Sequence, residues 1–174
     1  LNVYGQTKLE GEEAIRETGC LYLIFRTSWV YAVRGNNFIK SILRLANERD
    51  QLTVINDQIG APTGADYLAD TTAHAIMMAI NRPELSGLYH LVAEGEISWH
   101  GYASFIINFA QLQGIDLKLK TNAIIPVPAS NFKTPAKRPC NSRLSTDKFQ
   151  KTFRLNVPQW QIGVLRALTE ILER

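Results

Sequence analysis

The sequence predicts an α/β fold. Three observations carry that prediction: short continuous apolar runs of the kind buried in a parallel sheet, intervening segments with apolar residues at helical spacing, and turn residues at the joints. Residues 4–17 read as a helix that Gly19 stops. Cys20 to Phe25 is a continuous apolar run, read as a strand buried on both faces, with polar Arg26-Thr27-Ser28-Trp29 at its carboxyl end. Residues 37–49 form a helix with Phe38, Ile39, Ile42, Leu45 and Ala46 on one face. Leu52 to Ile55 is a second short strand, and Asn56 to Gly64 a turn-rich loop. A helix over residues 65–81 uses Leu68, Ala75, Ile76, Ala79 and Ile80, and Gly87 to Val92 is a third strand. Ser98 caps the next helix, whose face is Tyr102, Phe105, Ile106, Phe109 and Leu112 and whose stop is Gly114. Residues 115–143 are proline-punctuated and read mostly as loop, with one short strand near Ile124. Pro158 opens a last helix that buries Trp160, Val164, Leu165, Leu168 and Leu172.

Composition narrows the function classes. A chain of 174 residues can bury one sizeable core, and 45% hydrophobic with 20% charged residues is ordinary globular usage. The net charge of +3 comes from scattered Lys and Arg, which does not suit nucleic acid. No apolar run is long enough to span a bilayer. The chain opens on Leu1-Asn2 with no secretory leader pattern, and the lack of an initiator Met implies a fragment or a processed product. Cys20 and Cys140 have no CxxC or Cys/His spacing, which points to reduced thiols in a cytoplasmic protein and away from zinc.

Chemistry concentrates at the start. Tyr4 and Lys8 are four apart, one turn along one helix face. An ammonium beside a phenol favours the phenolate, which suits proton exchange with an alcohol or a carbonyl. The spacing alone is a weak signal and needs context. His74, His90 and His100 are isolated and lack the partners of a catalytic triad. No glycine-rich strand–turn–helix of the kind that cradles a dinucleotide pyrophosphate is present; Gly60 and Gly64 flank Pro62 in a loop.

Context comes from five words in order: Tyr4-Gly5-Gln6-Thr7-Lys8, Phe25-Arg26-Thr27-Ser28-Trp29-Val30-Tyr31, Gly35-Asn36-Asn37-Phe38, Asn56-Asp57-Gln58-Ile59-Gly60-Ala61-Pro62-Thr63, and Arg138-Pro139-Cys140-Asn141-Ser142-Arg143-Leu144. Together they resemble the dTDP-4-dehydrorhamnose reductase family of the extended short-chain dehydrogenase/reductases. The resemblance runs over essentially the whole chain but only over the C-terminal three-fifths, roughly, of the family's length. It implies the end of a Rossmann sheet followed by a smaller substrate-binding domain. On that reading residues 1–35 are the catalytic helix and following strand, and residues 36–174 mainly bind substrate. The Rossmann half, with its glycine-rich loop and a catalytic Thr or Ser, lies upstream.

The resemblance also implies roles. Tyr4 becomes the acid that protonates the sugar oxygen, and Lys8 holds the nicotinamide ribose of NADPH or NADH. Arg26 is either a cofactor contact or a brace for loop carbonyls. Trp29 contacts the sugar, since an indole offers a C–H-binding face and an N–H donor. Asn37, Gln58, Arg138 and Asn141 are candidates for the nucleotide-sugar pocket, with loop bracing as the alternative. Arg138 supplies a bidentate fork for a diphosphate. Asp66 and Glu170 either face solvent or meet a cation such as Mg2+ bridging a homodimer. The implied reaction is reduction of dTDP-4-dehydro-L-rhamnose to dTDP-L-rhamnose for cell-surface polysaccharide. Two alternatives stay open: another nucleotide-sugar reductase or epimerase, and a non-catalytic regulatory subunit of the same fold.

Overall fold

The computed structural model describes residues 2–132 and 139–173. The order is α/β, with local sequence signals at most joints. Helix α1 (Val3–Glu17) starts where the Asn2 side chain accepts the Gly5 amide at 2.8 Å, and the chain turns away at Gly19, whose φ is +69°. Strand β1 (Leu23–Arg26) leads to β2 (Val30–Tyr31) and then α2 (Phe38–Glu48), capped by Asn37. Strands β3 (Leu52–Ile55), β4 (Ile59–Gly60) and β5 (Thr63–Gly64) precede α3 (Ala65–Ala79). Strands β6 (Gly87–His90) and β7 (Ile97–Ser98) lead into α4 (Trp99–Leu112), which Ser98 caps by accepting the Gly101 amide at 3.0 Å. Strand β8 (Ile124–Val127), α5 (Asp147–Phe153) and α6 (Trp160–Leu172) complete the chain.

Among the described residues the strands form four pairs. Three are parallel: β1 with β6, in the register Leu23 to Gly87; β2 with β5; and β3 with β8, in the register Leu52 to Ile124. Strands β4 and β7 are antiparallel. Parallel partners far apart in sequence require crossovers, and helices supply them here.

Two apolar clusters hold these pairs. The larger joins α2, α4 and α6 through Ile39, Ile42, Ile106, Ile107, Val164 and Leu168, each nearly or wholly buried. The second packs Tyr89, Leu91, Phe149 and Phe153 beneath Leu23 and Phe25 of β1. Edge-to-face ring contacts, such as Phe25 on Phe149 at 5.9 Å, add directionality to that burial.

Several expectations need correction. The run Cys20 to Phe25 is not buried on both faces: Leu23, Ile24 and Phe25 are half-buried and Leu21 is 63% exposed. Among the described residues strand β1 has one hydrogen-bonded neighbour, β6, and beside it opens an apolar cleft bordered by Leu21, Ile76 and Ile80. Helix α3 accordingly buries Ala75 but exposes Ile76 and Ile80, which the helical pattern had placed inward. Leu112 is also exposed, at the end of α4. The turn-rich stretch after Asn56 contains β4 and β5, two-residue ladders too short for periodicity to reveal. Helix α5 escapes a pattern reading for the same reason, yet its Phe149 and Phe153, one turn apart, anchor the second cluster.

Helix α1 is the least embedded element. None of its residues is buried, and it meets the body only along Gly5, Leu9 and Glu12. Its firmest tie is electrostatic. Arg26, the last residue of β1, donates from Nε to Glu12 Oε1 at 2.8 Å and from Nη2 to Oε2 at 2.6 Å. The Arg26 hydrogen bond holds the Glu12 carboxyl below its usual range, against the opposing effect of burial. A carboxylate lowered in the folded state contributes stability above its unfolded value, and that contribution is lost as pH falls through the folded value. Because the Arg26 side chain is 44% exposed, the pair contributes only about 1 kcal/mol. Glu12→Gln therefore speeds amide hydrogen exchange within α1 at neutral pH, and the unaltered protein shows the same loosening in acid, as pH falls through the lowered Glu12 value. Equal protection of α1 in both proteins at pH 7 contradicts this.

Candidate active site

The dyad sits on the outer side of α1. Lys8 Nζ lies 5.7 Å from the centre of the Tyr4 ring, a cation–π distance. Tyr4 is 70% exposed, so its hydroxyl is accessible to a reactant. The Asn2 cap and the bond from Thr7 Oγ1 to the Tyr4 carbonyl (3.0 Å) keep this first turn helical. The Glu12–Arg26 tie joins the same helix to the carboxyl end of β1. Arg26 is thus committed to a carboxylate, which its sequence position alone did not reveal.

Three residues beyond Arg26, the chain turns sharply. Trp29 has φ of +50°, a left-handed conformation unusual for a bulky residue, and backbone strain of this kind clusters at functional sites. Its carbonyl accepts the Thr63 amide at 3.1 Å. Its indole lies against Gly60, where an added Cβ would come within 2.6 Å of the ring atom Cε2. Glycine at position 60 is therefore a close-approach requirement.

Trp29 opens onto a cleft of about 520 Å³ that α2, β3 and the start of α4 enclose. Its walls are largely apolar, with the rings of Trp29, Phe38, Trp99, Tyr102 and Phe132 among aliphatic residues and with Asn37 and Gln58 among the polar groups. Apolar walls with a few placed polar groups are the usual make-up of a small-molecule site. Three sequence-derived candidates thus meet in one cleft: Trp29, Asn37 and Gln58. Gln58 is buried at 6% exposure. Asn37 also serves the backbone, accepting the Lys40 amide at 3.2 Å and donating to the Ala32 carbonyl. Sequence reasoning missed Trp99 and Phe132 and assigned Phe38 and Tyr102 to helix packing alone. A tryptophan directly after the Ser98 cap was the available signal, since the first helical turn faces the strand ends.

Other candidates lie elsewhere. Asn141 is exposed and accepts from Arg143 N at 3.0 Å and Nε at 2.9 Å; next to it, Ile59 bonds Cys140 and Ser142 through the backbone. Arg138 lies outside the described residues. Asp66 and Glu170 line a second cavity together with Arg34, Arg166 and Tyr31. There Asp66 is ion-paired with Arg166, so a guanidinium already supplies a cation to that carboxylate. Among the described residues no group of three or more His, Cys, Asp or Glu is arranged to hold a metal. Burial pushes the Tyr31 phenol up to about 12, so it stays protonated at working pH.

The described residues offer a nicotinamide cofactor a partial fit. Lys8 and Tyr4 are suited to a ribose hydroxyl and a reacting oxygen. A pyrophosphate cradle is not among them. Gly64 caps α3, but Asp66 in that helix's first turn places a carboxylate where a phosphate would have to sit.

Comparison with known proteins matches this layout. The family described as RmlD substrate binding domain matches residues 1–173. The chain is 58% identical over 171 residues to dTDP-4-dehydrorhamnose reductase of Shigella flexneri and 59% identical over 172 residues to that of Salmonella typhimurium. Each alignment covers 98% of this chain and 56% of the relative, so the chain spans about half the length of these curated relatives. The crystal structure of dTDP-4-dehydrorhamnose reductase from Bacillus anthracis in complex with NADP aligns with a TM-score of 0.83 at 34% identity, over 97% of this chain and 56% of that one. A UDP-glucuronic acid 4-epimerase from Bacillus cereus, at 17% identity and a TM-score of 0.69, shares the fold alone. With the parallel strand pairs, the exposed Tyr–Lys dyad and the aromatic cleft all inside one matched stretch, the chain belongs to the RmlD substrate binding domain family, whose fold is that of the extended short-chain dehydrogenase/reductases.

Proposed function

We propose that the protein reduces the 4-keto group of dTDP-4-dehydro-L-rhamnose to give dTDP-L-rhamnose, a precursor of cell-surface polysaccharide. This chain supplies the proton-handling dyad and the nucleotide-sugar cleft. The cofactor cradle is assigned to sequence outside this chain, which spans about half the length of its curated relatives. The observation that carries the proposal is the Lys8 ammonium 5.7 Å from the Tyr4 ring, in a chain whose curated relatives are named dTDP-4-dehydrorhamnose reductase.

A bound NADPH or NADH supplies hydride to the sugar's C4. The chain's own residues handle the rest. The Tyr4 hydroxyl donates its proton to the oxygen that becomes the alcohol. Lys8 favours the resulting phenolate by charge and holds a ribose hydroxyl. Trp29, Asn37 and Gln58 orient the substrate from the cleft, whose mostly apolar lining strengthens each polar contact. Arg26 acts through Glu12, positioning α1. A regulatory, non-catalytic role is disfavoured, because a pure binder has no need of an accessible phenol paired with an ammonium.

Turnover of dTDP-4-keto sugar with NADPH tests the proposal. In the full-length protein, Tyr4→Phe keeps the fold and lowers kcat by about 10²–10⁴-fold. The 174-residue chain alone gives no substrate-dependent NADPH oxidation. A Tyr4→Phe protein within about threefold of the parent kcat removes Tyr4 from the acid role.

For Arg138 the support is the resemblance and the chemistry of a diphosphate. Hydrogen bonds to charged groups contribute about 1.5–3 kcal/mol each. Arg138→Ala therefore raises the sugar-nucleotide KM about tenfold or more and leaves the cofactor KM near its original value. Arg138→Lys recovers part of the loss, because an ammonium lacks the planar fork. Weakened cofactor binding with intact sugar-nucleotide binding moves Arg138 out of the substrate site.

A further inference from the structure

Both faces of Trp29 are covered. The Gly60 backbone lies on one, close enough that a Cβ there would sit 2.6–3.0 Å from the fused ring atoms. On the other face lies Trp99, with ring centres 3.6 Å apart and planes 11° from parallel. Trp29 therefore has no free face for a ligand in this arrangement and presents only its edge. The Gly60 side is backbone, held in the β4–β7 ladder, and cannot yield. The Trp99 side is a side chain. Trp99 is half-buried on the first residue of α4, and Phe38 flanks it at 4.6 Å with a 50° tilt. Its backbone is held by the Ser98 cap, which is itself bonded to Asn56 at 2.8 Å, so opening needs a change of side-chain rotamer and no helix movement.

We infer that Trp99 is a substrate-binding residue, the movable second wall of an aromatic clamp that closes on itself when empty and on the hexose ring of the nucleotide sugar when loaded. The inference rests on the nucleotide-sugar reading above. A ring held between two indoles needs their planes about 7 Å apart, roughly twice the present spacing. Separating the pair forfeits one aromatic contact, and a ring with two apolar faces restores two. The clamp is assigned to the hexose because the nucleotide-sugar reading gives Trp29 the sugar contact, and the dTDP control below tests that assignment against the base.

The stacked indoles provide a spectroscopic signature, an exciton couplet in circular dichroism, which Trp99→Phe abolishes in the ligand-free full-length protein. Adding dTDP-L-rhamnose to the unaltered protein diminishes the couplet, whereas dTDP, which lacks the hexose, leaves it in place. Calorimetry shows Trp99→Ala weakening dTDP-L-rhamnose about tenfold and dTDP less than about twofold, with Trp99→Phe intermediate. Matching thermal melts establish that the variants are folded, and Trp99→Phe carries the test if the alanine variant is not. Binding of dTDP-L-rhamnose with the couplet unchanged overturns the clamp and leaves the proposed reaction standing. So does equal weakening of both ligands, or tighter binding by Trp99→Ala. Failure of the unaltered protein to bind either ligand overturns both readings.

Discussion

The packing of the Trp29 indole onto Gly60 is the constraint on which the site depends. It requires Trp29 to take a left-handed backbone, at a cost of about 1–3 kcal/mol. The surroundings over-determine that conformation. The Thr63 amide holds the Trp29 carbonyl, and Thr63, wholly buried, donates from its hydroxyl to Ala61 and accepts the Ala93 amide at 3.2 Å. One turn thereby fastens the end of β1 to the β4–β5 segment and to the strand end near β6. Enlarge position 60 and the indole must leave, taking the floor of the cleft with it.

Around that turn the protein separates a rigid part from a lightly held one. Helices α2, α4 and α6 interlock through side chains at or near zero exposure and define the cleft walls. Helix α1 carries the accessible phenol and ammonium, yet it is joined to the body by an ion pair and one shallow stripe. An exposed ion pair between side chains is weak in water. The position of Tyr4 and Lys8 is therefore more readily adjusted than the backbone that frames the cleft. Elements that must meet a ligand are drawn from the less stable end of a fold for this reason.

The second cavity illustrates how charge is distributed away from the site. Asp66 in the first turn of α3 suits the positive end of that helix, and Arg166 from α6 neutralises it. Tyr31, protonated through burial, sits between that cavity and the aromatic cleft and lines both. The two spaces share Tyr31 of β2 as a common wall.

Much of this was legible in the residues. The cap at Ser98, the stops at Gly19 and Gly114, and most of the inward faces of α2 and α4 follow from short-range chemistry, which a sequence states directly. So does the Tyr4–Lys8 dyad, because four residues on a helix make one turn. The five ordered words placed the chain in its family. Other features depend on segments distant in the chain. The exposure of Ile76 and Ile80, the ladders β4 and β5 and the role of Phe149 are set by what packs against them, and periodicity carries no such information. The ion pair of Arg26 with Glu12, fourteen residues earlier and 2.6 Å away, was not visible in the sequence. Trp29 and Trp99, seventy residues apart, become one stacked pair only when β1 and α4 meet over Gly60. The sequence by itself determined the longer helices and strands, the Tyr4–Lys8 spacing and the family. Tertiary structure alone decided which aromatic faces are covered, because contacts between distant segments exist only after the chain has closed.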